Sequence, residues 1–249
     1  MITLAALAPT LLGVAVLSAV TIAVLTWTRA PERFGPTLAI LRGAAQLAVI
    51  SLVLAGVITS PLWVAVALLV MFGVATATAT RRLGWNRRHL LLVAGAMAAG
   101  VLVALGVVFG TGALALTARY ALAIGGIVIG NSMSIATLAG RRFLESVHEH
   151  WDDVEGWLAL GAAPRESTRD LARRAVHLAL IPSTDQTKTT GLVTLPGAFV
   201  GAIFGGVSPL EAGRFQIVVL ASIMAAGSIT AAIVVGVLAP VRVRPDPPR

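Results

Sequence analysis

Long stretches without a charged residue constrain this fold more than any other feature of the sequence. They cover residues 2–28, 43–80, 90–118, 120–140, 189–210 and 215–241. A helix needs about 20 apolar residues to cross the hydrocarbon core of a bilayer. Since lipid offers the backbone no hydrogen-bond partner, such segments must cross as helices or as strands of a closed barrel, and barrel strands alternate polar and apolar residues. The sequence therefore predicts an all-α, polytopic membrane protein.

The number of spans follows from the lengths of these stretches. Residues 43–80 are too many for one helix and carry Ser60-Pro61 near their middle, which predicts two spans joined by a tight turn. The first stretch lacks a preceding positive residue and exceeds the usual signal length, so we expect it to remain as a helix. We predict one transmembrane domain over residues 1–249 with about seven spans, near 2–28, 36–58, 61–80, 90–110, 120–140, 189–208 and 216–240.

Composition excludes several other classes of protein. Hydrophobic residues make up 57% of the chain and charged residues 12%, and the mean hydropathy of +0.90 is outside the usual range of soluble domains. The net charge of +8 could indicate nucleic-acid binding, but the basic residues lie at the ends of the predicted spans, so we expect no nucleic-acid partner. The absence of cysteine excludes disulfides, thiolate ligands and a cysteine nucleophile.

The distribution of arginine and lysine predicts the orientation. If the N-terminus is outside, 17 of the 19 basic residues lie on the cytoplasmic side, and only Arg119 and Arg214 lie outside. Cytoplasmic loops carry the excess of positive charge in membrane proteins. We therefore predict a multi-pass protein of the plasma (bacterial inner) membrane, with the N-terminus outside and the C-terminus in the cytoplasm.

A charged segment at residues 141–182 is predicted to form a cytoplasmic helical hairpin. Apolar residues recur at helical spacing from Leu144 to Leu158, the first helix should end near Gly161, and a second helix should cover 165–180. The hairpin is either a connector on the membrane surface or a docking element for a cytoplasmic partner. An apolar tip in water needs a groove to fill, which favours docking. The candidate ATPase-coupling residues of this tip are Leu158, Leu160, Gly161, Ala162 and Pro164.

Polar and helix-loosening residues within the apolar spans are candidates for a translocation path. They are Asn131, Ser132 and Met133 in the fifth span, and Pro196 and Gly197 in the sixth. A polar side chain in hydrocarbon should face protein or water, so Asn131 either borders the path or bonds a neighbouring helix.

The predicted start of the sixth span carries two polar signals. Ser183 and Gln186 have the spacing of a capping box. Asp185 and Lys188 stand three residues apart, which predicts an interfacial ion pair at the cytoplasmic boundary.

Four segments in order carry a resemblance to a known family. They are RGAAQL at 42–47, GGIVIGNSM at 125–133, LALGA at 158–162 and IPSTDQTKTTGLVTLPG at 181–197. Together they resemble the iron-export-type ABC transporter permease family, which also includes plant half-transporter permeases of aluminium tolerance. The chain departs from the family pattern at Ala198-Phe199, where the family has a methionine pair, and at Ala202, where it often has glutamine.

The resemblance implies a permease subunit that exports iron or another metal, paired as a homodimer with a separate ABC ATPase. The chain has no Gly-x-x-x-x-Gly-Lys-Ser/Thr loop, so we expect the partner subunit to use the ATP and this chain to hold no cofactor. No residue set has a catalytic pattern, which predicts a transport subunit and not an enzyme. The metal ligands are left unassigned. An ATP-independent secondary transporter or channel, and a non-transporting membrane scaffold, remain alternatives.

Overall fold

The computed structural model describes residues 4–57 and 60–246, and it confirms the predicted all-α, polytopic membrane fold. No strand occurs in the described ranges, which contain ten helices. In chain order these are α1 Leu4–Trp27, α2 Gly35–Val57, α3 Pro61–Arg82, α4 Arg87–Gly110, α5 Ala118–Glu149, α6 Trp151–Ala159, α7 Pro164–Ser167, α8 Arg169–Thr189, α9 Gly197–Phe204 and α10 Pro209–Leu238.

Five of the described helices are long and apolar enough to cross a membrane. They are α1, taken from Ala8, and α3, α4, α5 and α10. The side chains of residues 52–57 in α2, and the predicted span ends at 2–3 and 58, lie outside the described residues. The count of about seven spans therefore stays a prediction.

The chain divides into two compact units, residues 1–57 and 58–249. In the first unit, α1 and α2 contact each other across a tight connection in which Arg29 and Glu32 adopt left-handed backbone angles, with φ of 52° and 58°. The amide of Gly35 donates to the carbonyl of Glu32 at 2.7 Å, which closes the turn before α2 begins.

The second unit is a bundle in which α3, α5 and α10 run in one direction and α4 and α8 run in the other. Leu68 lies against Gly125 and Leu83 against Gly140, so α3 and α5 are parallel. The Thr230 hydroxyl donates to the Ala96 carbonyl at 3.3 Å, and the backbone of α10 approaches α4 closely at Gly100. Small residues at such crossings let helix backbones approach in a membrane.

Helix α8 lies along α5 and α10 and runs antiparallel to both. Its buried residues Ala175 and Ala179 pack in a cluster whose other members include Ile135 and Phe143 of α5 and Val235 of α10. The contact begins at Thr168, whose buried hydroxyl donates to the Ala239 carbonyl at 2.7 Å. Helix α8 therefore packs along α10 from the C-terminal end of α10 towards its middle.

The two ends of this bundle differ sharply in charge. One, here termed the arginine-rich end, carries the C-terminus of α3, the N-termini of α4 and α8 and the C-terminus of α10. Its basic residues include Arg81, Arg82, Arg87, Arg88, Arg169, Arg242 and Arg244. The opposite end carries Arg119, Glu211 and Arg214, beside the Tyr120 and Phe215 rings, whose centroids are 5.7 Å apart.

The structure differs from the single helix predicted over residues 189–208. Helix α8 continues through Pro182 to Thr189, residues 190–196 are irregular, and α9 covers only Gly197–Phe204. Ser183 is consequently a buried residue inside α8 and caps nothing, so the predicted capping box is absent. Proline is tolerated within membrane helices where neighbouring helices pack around it, and Ala179 and Ser183 on either side of Pro182 are buried.

The hairpin also has more breaks than predicted. The first helix is interrupted at His150, whose φ of −107° and ψ of 33° separate α5 from α6. The second begins as the single turn α7 and restarts at α8 after Thr168. The predicted apolar face is nevertheless intact, because Val147 and Val154 are fully buried and Leu144, Trp151 and Leu158 are half-buried.

Candidate functional site

The hairpin tip is a tight and well-bonded turn between α6 and α7. The amide of Gly161 donates to the Leu158 carbonyl at 3.0 Å, and the amide of Ala162 donates to the Trp157 carbonyl at 3.0 Å. Gly161 has a φ of +88°, a conformation that side chains other than glycine disfavour. Pro164 then begins α7, where its missing amide costs no helical bond. The five predicted coupling residues therefore lie together in one turn.

This tip exposes apolar surface. Leu160 is 83% exposed, and Trp157 beside it is also exposed. Leu158, Ala162 and Pro164 are half-buried and support the turn from below. The exposed side chains of Leu160 and Trp157 together form an apolar surface of the kind that marks protein–protein contact sites.

A groove of about 920 Å³ runs beside the tip, between α6 and the start of α8. Charged residues on both sides and an apolar floor line it: Asp152, Asp153, Glu166, Arg169, Asp170, Arg173, Val154, Trp157, Leu160 and Leu171. Sequence reasoning missed this groove. The acidic pair at the start of α6 was the available signal, but only the fold brings it opposite the arginines of α8.

The base of the hairpin is fastened to the C-terminal end of α10. The Arg165 guanidinium donates to the Gly236 carbonyl at 3.1 Å, and the Thr168 hydroxyl bonds Ala239 as described. The Arg244 guanidinium donates to the His148 carbonyl at 3.0 Å. The base of the hairpin is therefore hydrogen-bonded to the C-terminal end of α10 and to the segment that follows it. No sequence pattern indicated these contacts, two of which join residues 71 positions apart.

The structure separates the residues proposed for the translocation path. Asn131 is half-buried and borders a cavity of about 140 Å³ that Pro182, Ser183 and Gln186 of α8 also line. Its side-chain amide donates to the Ile127 carbonyl at 2.9 Å, within its own helix.

The other four candidates lie elsewhere. Ser132 is buried with a hydroxyl that has no described partner, and Met133 packs against the core of α3, α4, α5 and α10. Successive helix residues point about 100° apart, so Asn131, Ser132 and Met133 do not share one surface. Pro196 and Gly197 begin α9, where Phe199 reaches Gly213 near the start of α10. Which of the five border a path stays a prediction.

Asp185 and Lys188 form a pair, with 3.6 Å between the Asp185 Oδ1 and Lys188 Nζ atoms. The structure places this pair in the middle of the bundle, not at its boundary. Thr184 lies beside Met224, which is midway along α10, and Gln186 lies beside Asn131, near the centre of the uncharged stretch 120–140. A charge at the centre of a bilayer costs about 2.5–3.5 kcal/mol on insertion scales. The predicted boundary position followed from the assumption that the sixth span began after Pro182.

Stable metal binding by the chain has no support in the described residues. No group of three or more histidine, aspartate and glutamate side chains lies close enough to hold an ion within residues 4–57 and 60–246.

Comparison with known proteins decides the family. Residues 9–241 match the family described as uncharacterised protein family UPF0014. The chain belongs to the UPF0014 family. The predicted resemblance is confirmed, because the relatives of the chain include a protein named as a probable iron export permease and a plant protein named ALUMINUM SENSITIVE 3.

Individual UPF0014 relatives align over much of the chain. The membrane protein STAR2 of rice is 37% identical over 194 residues, which cover 77% of this chain and 68% of the relative. The protein ALUMINUM SENSITIVE 3 of Arabidopsis is 34% identical, covering 68% of this chain and 62% of the relative. A protein named as a probable iron export permease, FetB of Escherichia coli, is 31% identical, covering 54% and 52%. No solved structure matches the chain.

Proposed function

We propose that this UPF0014 protein is the permease subunit of an ABC transporter, exporting iron or another metal with energy from a separate ATPase. The observation that carries the proposal is the exposed Leu160 on a hairpin whose base is bonded to α10. The name of the FetB relative supports both the permease role and the iron cargo. ATP is used by the partner subunit, and this chain holds no cofactor.

The orientation follows from the charge of the bundle ends. Placing the arginine-rich end in the cytoplasm puts the hairpin where ATP is available and puts the C-terminus inside, in accordance with the excess of positive charge on the cytoplasmic side. The distribution of arginine and lysine along the sequence favours an N-terminus outside.

In the proposed mechanism, movement of the hairpin tip changes the packing of helices α8 and α10. The ATPase receives Leu160 in a groove, and its movement during ATP hydrolysis shifts the tip. Through the bonds of Arg165 and Thr168 to carbonyls of α10, the shift changes the packing of α8 and α10. The ATPase can drive this change only if it binds one arrangement of the tip more tightly than the other. Two permeases and two ATPases form the working transporter.

An ATP-independent secondary transporter is the alternative that one observation favours. Ionisable residues at membrane depth mark ion-coupled transport, and the level of Asp185 and Lys188 along α10 supports this alternative. This alternative does not require an ATPase at the hairpin tip, and neither does a membrane scaffold.

Co-purification with an ATPase separates these functions. The tagged chain is co-expressed in turn with each ABC ATPase subunit encoded in the same genome, extracted in mild detergent and passed over a size-exclusion column. We expect one of these subunits to elute with the chain in equal amounts, whereas an ABC ATPase of an unrelated importer should elute separately. Separate elution of all of them, under conditions in which both proteins stay monodisperse, would contradict the ABC assignment.

A further inference from the structure

Helix α8 ends level with the central third of α10, in a turn that satisfies part of its own backbone. The Thr189 hydroxyl donates to the Asp185 carbonyl at 2.9 Å, and the Thr190 hydroxyl donates to the Gln186 carbonyl at 2.7 Å. The amide of Gly191 donates to the Thr194 carbonyl at 2.8 Å. Irregular backbone at membrane depth is tolerated where it is buried in protein or lines a water-filled cavity.

The depth of this turn follows from contacts with two spanning helices. On α10, Thr168 contacts Ala239, Leu180 lies near Gly227 and Thr184 lies beside Met224. The register continues along α8, so Asp185 and Lys188 lie level with the central third of α10. Gln186 and Asn131 line the same small cavity, which gives the same depth on α5.

The two faces of α8 differ in polarity. Ala175, Ala179 and Ser183 are buried against the bundle. The outer face carries Arg174, His177, Asp185 and Lys188, all exposed and separated by steps that a helix places along one side. Arg174 and His177 form no ion pair with any described residue, and the Asp185–Lys188 pair is 61% and 71% exposed at its two side chains. The outer face of α8 is therefore polar towards both of its ends, with Ile181 between His177 and Asp185.

We propose that the outer face of α8 lines a water-filled path. Asp185 and Lys188 are the charged residues that line this path at mid-membrane. Hydrocarbon would leave both charges and the irregular turn without solvation. The path takes a hydrated, charged solute. That this solute is the exported cargo rests on the proposed function, but the existence of the path does not.

Cysteine accessibility tests the path directly, because the chain has no native cysteine. Asp185→Cys and Lys188→Cys are treated in membranes with a small charged methanethiosulfonate. The control is Leu102→Cys, which is 69% exposed on α4. Since Gly100 meets Ala226, Leu102 lies level with Met224 and hence with Thr184. We expect modification at positions 185 and 188 to be at least about tenfold faster, because the thiolate that reacts does not form in hydrocarbon.

Ile181→Cys lies on the outer face between His177 and Asp185, leaves both charges in place, and serves if the charge variants fail to fold. Rates at all these positions as slow as at Leu102 would overturn the path. Spontaneous disulfide formation between copies at positions 185 or 188, without modification, would also overturn it and identify a dimer interface. The labelling needs neither ATPase nor cargo. If the chain is labelled as expected but does not co-purify with an ATPase, the result supports the path and contradicts the proposed ABC function.

Discussion

Leu160→Asp is expected to abolish co-purification with the ATPase and ATP-driven transport, while the helices insert and pack normally. Leu160 is 83% exposed, and exposed positions of this kind usually change stability by no more than about 0.5 kcal/mol. In the proposed complex the same side chain is buried in a groove. An unpaired buried charge there costs about 3–5 kcal/mol, which lowers the affinity by at least about a hundredfold.

Val243→Asp is the matched control for the tip variant. Val243 is 78% exposed and lies beyond α10 at the arginine-rich end, so the substitution adds the same charge on the same side of the molecule. It should leave ATPase association unchanged. The measurement is the ATPase-to-permease ratio in the size-exclusion peak. A Leu160→Asp variant with the wild-type ratio would show that the hairpin is a surface connector.

Gly100→Ala should strongly destabilise the second unit. A methyl group at this position would collide with the Ala226 carbonyl oxygen and come within 2.7 Å of the Thr230 hydroxyl. The collision is with backbone, so α4 and α10 must separate. Overpacking of this kind typically costs about 1–3 kcal/mol, and here it also strains the bond from Thr230 to the Ala96 carbonyl.

Gly106→Ala provides the comparison on the same helix, since a methyl group there has no neighbour within 4 Å. The thermal midpoint of the detergent-solubilised chain, read from the loss of the monodisperse peak after heating, should fall by several degrees for position 100 and stay unchanged for position 106. Equal midpoints for the two variants would contradict the close packing of α4 against α10.

Most of the fold could be predicted because lipid allows a chain few solutions. The predicted span 61–80 corresponds to α3 at Pro61–Arg82, and 90–110 corresponds to α4 at Arg87–Gly110. Here the charged residues mark the helix ends. The rule failed at the sixth span, because Pro182 was taken as a helix start although packing on α5 and α10 carries α8 through it. The position of Asp185 and Lys188 was misjudged for the same reason.

The sequence predicted only those parts of the candidate site that are formed by residues adjacent in the chain. The apolar tip at Leu160 and Gly161 could be read from adjacent residues. The hydrogen bonds of Arg165 and Thr168 to α10 join positions 71 residues apart. Because every residue has a backbone carbonyl, the sequence does not indicate which carbonyl accepts such a bond. Regular spacing of glycines does not by itself identify close helix packing. Gly106 and Gly110 are four residues apart without close neighbours, whereas tight approaches occur at Gly100, Gly140 and Gly227.

ATP dependence of metal movement in reconstituted vesicles tests the central claim most directly. The permease and its ATPase are inserted together into vesicles that contain a metal-sensitive dye, and iron movement is followed with ATP, with a non-hydrolysable analogue and with Leu160→Asp in place of the wild-type chain. The proposed function predicts movement against a gradient only for the wild-type pair with ATP. Equal movement by the permease alone, without ATP or ATPase, would contradict it and establish a secondary transporter or channel.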